Sequence, residues 1–408
     1  MTSNPKSRRR SWFGGITRNV YLLGLLSMFN DFSADMISPL LPAFLASMGL
    51  GAGFLGIMEG FANSLSNITA LFSGWADDRM HRSKRLTVLG YAICSLTRPF
   101  MGIPIPGVTL AARFLDRIGK GIRTAPRDRL LTGSLEKGNW GKAFGVQRAF
   151  DHAGALIGPP IAALLLKFYG FSYSKLFILA SIPAILSILF VPLGIREAPE
   201  KKPAVSPRLK WRHLPSPLKR YILVIFLVAF STPSELFLIM KLQSMGLATY
   251  QLPLAWGLLT ACTLISSFFG GILADRWSQR RTIAVGWTLF VLVFLGFAFN
   301  QRILWAWFLV AIYGIQSGLV EASERAYPAS VVPEEIRATA LGWYYCAYGL
   351  GLLPASVLFG VLWSRYSPTV AFFTYAGMTL LVIPLLAWLP THRRPEEKAQ
   401  QPYLAALR

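Results

Sequence analysis

One spacing runs through this chain of 408 residues: segments 197 positions apart carry the same landmarks, without a gap. Ser47-Met48-Gly49-Leu50 returns as Ser244-Met245-Gly246-Leu247, and Gly74 with Asp78-Arg79 returns as Gly271 with Asp275-Arg276. Gly121 returns as Gly318, and the pair Gly145 and Gly154 returns as Gly342 and Gly351. A repeat of nearly half the length, held in register, restricts the fold to two like units about a pseudo-two-fold axis. When both units are apolar, that symmetry places a ligand site between two helical bundles that rock against each other. The repeat therefore points to a membrane transporter.

The apolar character is plain: 53% of residues are hydrophobic and 15% charged, where soluble domains carry about 25% charged residues. A bilayer core needs about 20 apolar residues per helix. Periodicity predicts an all-α integral membrane protein with twelve transmembrane helices in two pseudo-symmetric six-helix bundles, at 19–46, 53–75, 86–105, 107–130, 140–166, 173–194, 219–243, 251–274, 282–299, 304–330, 339–363 and 368–389. The expected organisation is a basic tail (1–18), a first bundle (19–195), a linker (196–218), a second bundle (219–390) and a C-terminal tail (391–408). Residues 1–18 are basic and polar, and the first apolar run continues into Asp31 and Asp35, unlike a cleavable signal. Cys94, Cys262 and Cys346 all fall in apolar spans and read as small core residues, with no disulfide framework and no metal site.

A net charge of +22 raises nucleic acid as a partner, but its distribution argues against one. Basic residues crowd the N-terminal tail (Lys6, Arg8, Arg9, Arg10, Arg18), the second-to-third connection (Arg79, Arg82, Lys84, Arg85), the linker (Arg196 to Arg220) and the C-terminal tail (Arg393, Arg394, Lys398). Connections of the other parity are nearly bare, with Lys167, Lys175, Lys241, Arg302 and Arg365 as their basic residues. The positive-inside rule then expects both termini and the linker in the cytoplasm of a multi-pass inner (plasma) membrane protein. The charge serves orientation and attraction to anionic membrane lipids.

Gly74-Trp75-Ala76-Asp77-Asp78-Arg79-Met80-His81-Arg82-Ser83-Lys84-Arg85 resembles the cytoplasmic loop signature of the major facilitator superfamily, and Gly271-Ile272-Leu273-Ala274-Asp275-Arg276 is its echo in the second half. The resemblance covers essentially the whole chain. It implies a gating set, Gly74, Asp78, Arg79, Arg82, Gly271, Asp275 and Arg276, that locks one conformer: the glycine lets two helices touch, and the aspartate sits at a helix N-terminus or against an arginine. A solvated basic loop that only sets topology is the bland alternative. Arg113-Phe114-Leu115-Asp116 resembles the superfamily's fourth-helix motif, whose arginine is associated with proton coupling in exporters, although Arg117 stands where glycine is usual. Asp35-Met36-Ile37-Ser38-Pro39-Leu40-Leu41-Pro42 resembles the acidic first-helix motif of drug–proton antiporters. Gly154, Gly158 and Pro159 lie in a segment like the antiporter fifth-helix motif, with alanines for its final glycines.

The fourth helix is also unusual on its own terms. Arg113, Asp116, Arg117, Lys120, Arg123 and Arg127 recur at helical spacing and fall within roughly a 120° arc. Ionisable groups inside a membrane face a bundle interior or cavity by default. Acids that could answer them are Asp31 and Asp35 on the first helix, Glu59 on the second, and Asp151 on the fifth beside Arg148 and His152. The second half offers Glu235, Glu321 and Glu324, with Tyr344, Tyr345, Tyr348 and Trp256 as candidate cavity aromatics. An acid moved between an arginine and a dry cavity changes its affinity for a proton, which is what proton coupling requires; a purely structural ion-pair network is the competing reading. The expected function is a monomeric, proton-coupled antiporter that exports a small organic molecule. The alternative is proton-coupled uptake of an anionic or zwitterionic metabolite, such as an organic acid, siderophore or lysophospholipid. A lipid-acting enzyme or a membrane sensor is disfavoured: His81, His152, His213 and His392 lack ligand-like spacing, and no cofactor is expected.

Overall fold

In the computed structural model the described residues are 17–80, 82–133, 140–197, 211, 214–332 and 337–389. Among them every regular element is helical: α1 (Arg18–Ile37), α2 (Leu41–Ser47), α3 (Ala52–Met80), α4 (Ser83–Met101), α5 (Pro106–Gly133), α6 (Trp140–Tyr169) and α7 (Tyr173–Gly194) form the first half. The second half holds α8 (Ser216–Phe230), α9 (Leu236–Ser244), α10 (Gln251–Trp277), α11 (Gln279–Phe299), α12 (Ile303–Ser330), α13 (Arg337–Arg365) and α14 (Pro368–Val382), the last continued by a 3-10 segment, Ile383–Trp388. Most ends agree with the sequence periodicity to within a few residues. The seven helices α6, α7 and α10–α14 are each long and apolar enough to cross a bilayer. α5 is too charged to meet that measure, and α8 and α9 are each too short.

Two predicted spans are broken. The first is interrupted by a 3-10 turn, Ser38–Leu40, between α1 and α2, and the seventh unwinds between Phe230 and Leu236. Prolines explain both, because Pro39 and Pro233 lack the N–H that a continuous helix needs and crowd the preceding turn. With α1–α2 and α8–α9 each taken as one rod, the described residues form twelve rods.

The repeat is visible in atomic detail. Gly49 and Gly246 both take the left-handed conformation, with φ of 75° and 89°, and each is followed by a leucine N–H that reaches back to cap its helix: Leu50 to Leu45 O at 3.0 Å and Leu247 to Leu242 O at 3.1 Å. This is the left-handed C-cap that favours glycine. Gly121 on α5 abuts the Ser66 carbonyl of α3, and its counterpart Gly318 on α12 abuts the Thr263 carbonyl of α10. Ser66 and Thr263 are themselves related by the 197-residue spacing.

Packing differs between the two ends of the molecule. At the end bearing the 48–51 and 245–250 turns, one apolar cluster crosses both halves, with Met36, Leu40 and Phe44 against Leu236, Phe237 and Leu242. At the end where Asn19 bonds Arg196 (2.8 Å) and Arg280 bonds Leu389 (3.2 Å), the cores are separate. Val20, Leu23, Tyr91 and Leu130 pack within the first half, and Tyr221, Trp287, Tyr327 and Tyr344 within the second. The α3–α13 seam is likewise tied toward the turn end, by Gly53 N–H to Ser364 Oγ at 2.9 Å and Ser64 Oγ–H to Gly349 O at 2.7 Å. The halves are thus joined at the turn end and have independent cores at the other.

Candidate functional site

α5 supplies most of the charge, and its surroundings explain how a charged helix is accommodated. Gly90 of α4 and Gly119 of α5 meet backbone to backbone, as do Gly121 and α3, so α5 is drawn into the middle of the first bundle. Burial there demands counter-charges. Arg113 Nε donates to Glu59 Oε1 at 2.7 Å, both side chains being buried. Asp116 is held by Arg98 of α4 at 3.2 Å, and Arg98 also donates to Asn30 O and Oδ1 of α1 at 2.6 and 2.9 Å. Arg123 lies 3.5 Å from Asp31, with its guanidinium 4.1 Å above the Tyr91 ring, a cation–π contact. Arg127 reaches Asp128 at 3.2 Å and Asp151 at 3.9 Å, and Gln147 Nε2 completes Asp151 at 2.9 Å.

Among the described residues, contacts from Ser234, Trp256 and Glu321 join this network to the second half. Ser234, in the break between α8 and α9, donates to Glu59 Oε2 at 3.4 Å. Trp256 Nε1 on α10 donates to Asp35 Oδ1 at 3.2 Å. Asp35 also lies within electrostatic reach of Asp31 on its own helix, Lys120 on α5 and Arg98 on α4. Arg148 on α6 pairs with Glu321 on α12 at 3.3 Å, both half-exposed.

The structure assigns pairings that the sequence leaves open. Of the fourth-helix arginines that Glu59 could answer, Arg113 takes it, four residues before Arg117 on the same face, and Arg117 has no acid within ion-pair distance among the described residues. Arg148, Asp151 and His152 share a helix, yet Arg148 and Asp151 turn to different partners. Glu235 caps the start of α9 without a side-chain cap bond. Among the tyrosines, Tyr344 reaches buried Glu324: its hydroxyl donates to Oε2 at 3.3 Å, and Trp287 Nε1 donates to Oε1 at 2.9 Å. Tyr345 and Tyr348 pack on the Tyr344 ring at 5.1 and 6.0 Å. Neither Arg98 nor Asn30 belongs to a motif of the sequence; the signal for Arg98 is a lone arginine inside an otherwise apolar span.

At the gating motif Gly74 faces Ala125 of α5, where a Cβ would sit 3.4 Å from the alanine methyl. Asp77 is buried and accepts from Ser83 Oγ at 2.8 Å on both oxygens, with Arg129 of α5 at 3.6 Å. Arg79 lies over Trp75 at 4.5 Å, and Arg82 is exposed at the N-cap of α4. The side chains of Asp78, Asp275 and Arg276, and Gly271 with them, lie outside the described residues. On α6, Gly154 abuts the Met28 carbonyl of α1, and a Cβ on Gly158 would come within 2.5 Å of the Phe32 carbonyl. Pro159, one residue on, faces Gly257 of α10. Among the described residues no group of histidine, cysteine and carboxylate side chains could hold a metal ion.

A twelve-rod, twofold-repeated helical fold with a charged network inside its first half has a known counterpart. Residues 23–321 and 254–406 match the family model described as Major Facilitator Superfamily. The chain belongs to that superfamily. It is 33% identical over 384 residues to an uncharacterized MFS-type transporter of Methanocaldococcus jannaschii, covering 91% of this chain and 94% of that one. It is 22% identical over 389 residues to a multi-drug resistance efflux pump PmrA homolog of Lactococcus lactis, with 91% and 94% covered. Among solved structures, a bacterial homolog to the human lysosomal transporter Spinster, in an inward-facing and occupied conformation, superposes with a TM-score of 0.69 at 15% identity, covering 91% of this chain and 94% of that one. The superfamily member described here is accordingly a multi-pass membrane transporter of small molecules and not an enzyme.

Proposed function

We propose that this transporter is a proton-coupled antiporter of the inner (plasma) membrane that exports a small organic molecule by alternating access. One observation carries the reading: two intramembrane acids of the first bundle, Glu59 and Asp35, take hydrogen bonds from the second bundle, at Ser234 and Trp256. Rocking the bundles apart at the turn end must break those bonds, so the proton affinity of each acid and the conformation of the protein are linked. Placing the termini and linker in the cytoplasm, in keeping with the basic connections, makes the joined turn end the outer one and turns the separate cores toward the cytoplasm. The likeness to an efflux pump homolog and the close α1–α6 approach at Gly154 and Gly158 support export. The protein acts as a monomer, with its basic tails and linker drawn to anionic lipid.

Uptake of an anionic or zwitterionic metabolite is the second reading, favoured by the unpaired Arg117. Oriented proteoliposomes separate the two, using a compound that stabilises the purified protein. Substrate leaving the cytoplasmic side as protons enter supports export; substrate and protons moving together support uptake; flux indifferent to a pH gradient refutes coupling in either direction.

A further inference from the structure

Among the described residues, each guanidinium that α4 and α5 bury wholly or in part has an acid at ion-pair distance, except one. Arg98 has Asp116, Arg113 has Glu59, Arg123 has Asp31, Arg127 has Asp128 and Asp151, and Arg129 has Asp77. Arg117 has no ion pair and no hydrogen bond among the described residues, and its Nε is closed off from solvent with no acceptor. Lys120, one turn further, is exposed and makes no ion pair among them. Arg117 is half-buried, and the acids nearest it in the network, Glu59 and Asp116, are already held by Arg113 and Arg98, so its charge is incompletely satisfied in a place where that is unfavourable. A fold keeps such a group where a ligand completes it.

The direction in which the two cations point follows from the helix. At 100° per residue Arg113, Arg117, Lys120, Thr124 and Arg127 lie within about 40° of one line. Ala111, Leu115, Ile118 and Ile122 lie on the opposite side, and Leu115 is 47% exposed there, as a lipid-facing residue should be. Arg113 marks what the charged line faces, because the Glu59 it holds also accepts from Ser234 of the second bundle. The residue after Ser234 is Glu235. Its carboxylate, at the start of α9, has no hydrogen bond or ion pair among the described residues, and it lies within electrostatic reach of Glu321 on α12 first and of Lys120 across the seam second.

From this geometry we infer that Arg117, Lys120 and Glu235 form the substrate site and that the substrate is a small zwitterion. Its acidic group, carboxylate or phosphate, sits between Arg117 and Lys120, and its ammonium sits at Glu235. A simple organic anion would leave Glu235 facing it unpaired, and a cation would meet two like charges. A molecule bearing both signs satisfies all three side chains. Asp35, held by Trp256 on the same seam, remains the group for the proton. The inference rests on the transport reading above and deepens it.

Two arms test it, both on full-length protein in lipid nanodiscs. Without ligand, Arg117→Gln should raise the melting temperature, because it removes an unpaired charge, whereas Arg113→Gln should lower it. A fall in Arg117→Gln as large as that in Arg113→Gln would show that Arg117 is structurally paired and overturn the site. In the second arm amino acids, ω-amino acids and aminophosphonates are each compared with their acid-only and amine-only analogues. At least one zwitterion should raise the melting temperature more than either analogue at equal concentration. Its affinity should fall at least roughly tenfold in Arg117→Gln and Glu235→Gln, the loss expected for one charge-assisted hydrogen bond. Stabilisation confined to cations or uncharged molecules, no stabilisation by any zwitterion, or binding indifferent to both substitutions would overturn the inference. Charge-dependent zwitterion binding in a protein whose flux ignores a pH gradient would instead sink the proton-coupled reading and leave this site standing.

Discussion

Replacing Glu59 with alanine strands Arg113 in a place where its side chain is 3% exposed. At the observed 2.7 Å the pair attracts by about 6 kcal/mol if the effective dielectric is about 20. Desolvation of both ions offsets much of that, so the pair itself contributes modestly, while a lone survivor is costly. The expected loss for Glu59→Ala is about 3–5 kcal/mol, with about 1 kcal/mol more from the bond donated by Ser234. Arg113→Leu should cost a similar amount, and the double variant Glu59→Ala/Arg113→Leu should recover most of the loss. The assay is reversible unfolding of the four proteins of the cycle in mixed lipid–detergent micelles, with coupling taken as the departure from additivity. Single variants whose costs simply add, or a Glu59→Ala loss under about 1 kcal/mol, the range of an exposed ion pair, would refute the claim that this pair is buried and interdependent.

Other expectations follow from the same geometry. Gly154→Ala and Gly351→Ala push a methyl into the neighbouring helix and should each cost about 1–3 kcal/mol, whereas Gly145→Ala, with nothing within 4 Å of its Cβ, should be neutral or stabilise by up to about 1 kcal/mol; thermal melts of the three decide. Asp77→Asn loses its charge toward Arg129 and should increase labelling of cysteines placed along the terminal ends of α3 and α5 without unfolding the protein; unchanged labelling would show that the Asp77 contacts do not hold that end together. Arg148→Gln removes a half-exposed pair and should change stability by no more than about 1 kcal/mol, so a larger loss in the same melts would mean that the two bundles depend on it.

The two-bundle architecture was legible because three independent signals agree: a repeat in register, spans of bilayer length, and basic residues concentrated in alternate connections. The breaks at Ser38–Leu40 and after Phe230 were not, since proline inside an apolar span reads equally as a bend that neighbouring helices satisfy. Charge on α5 was visible as a face, but a face does not say which member meets which partner. Arg113 and Arg117 are four residues apart and point the same way; which one reaches Glu59 depends on the vertical offset of α3 against α5, which the Gly121–Ser66 contact fixes. Asp77 and Asp78 pose the same problem, because adjacent helical residues point about 100° apart and the Ser83–Arg129 pocket is made by two other helices. Arg98 and Asn30 carried no repeat or motif to mark them, and their importance appears only when Arg98 is seen joining Asp116 of α5 to Asn30 of α1.

The central claim is that protonation of Asp35 is linked to movement of the bundles, and spin-label distances test it most directly. Labels in the 48–51 and 245–250 turns, and a second pair across the terminal end, report both sides of the protein in nanodiscs by double electron–electron resonance. Ionised Asp35 accepts a charge-assisted bond from Trp256 at 3.2 Å, which holds the turn end shut; protonation weakens that bond. Lowering the pH should therefore lengthen the turn-end distances and shorten the terminal-end ones, and Asp35→Asn should show the low-pH distribution at every pH. Distributions in the wild type that ignore pH, or an Asp35→Asn variant that responds to pH as the wild type does, would contradict the account.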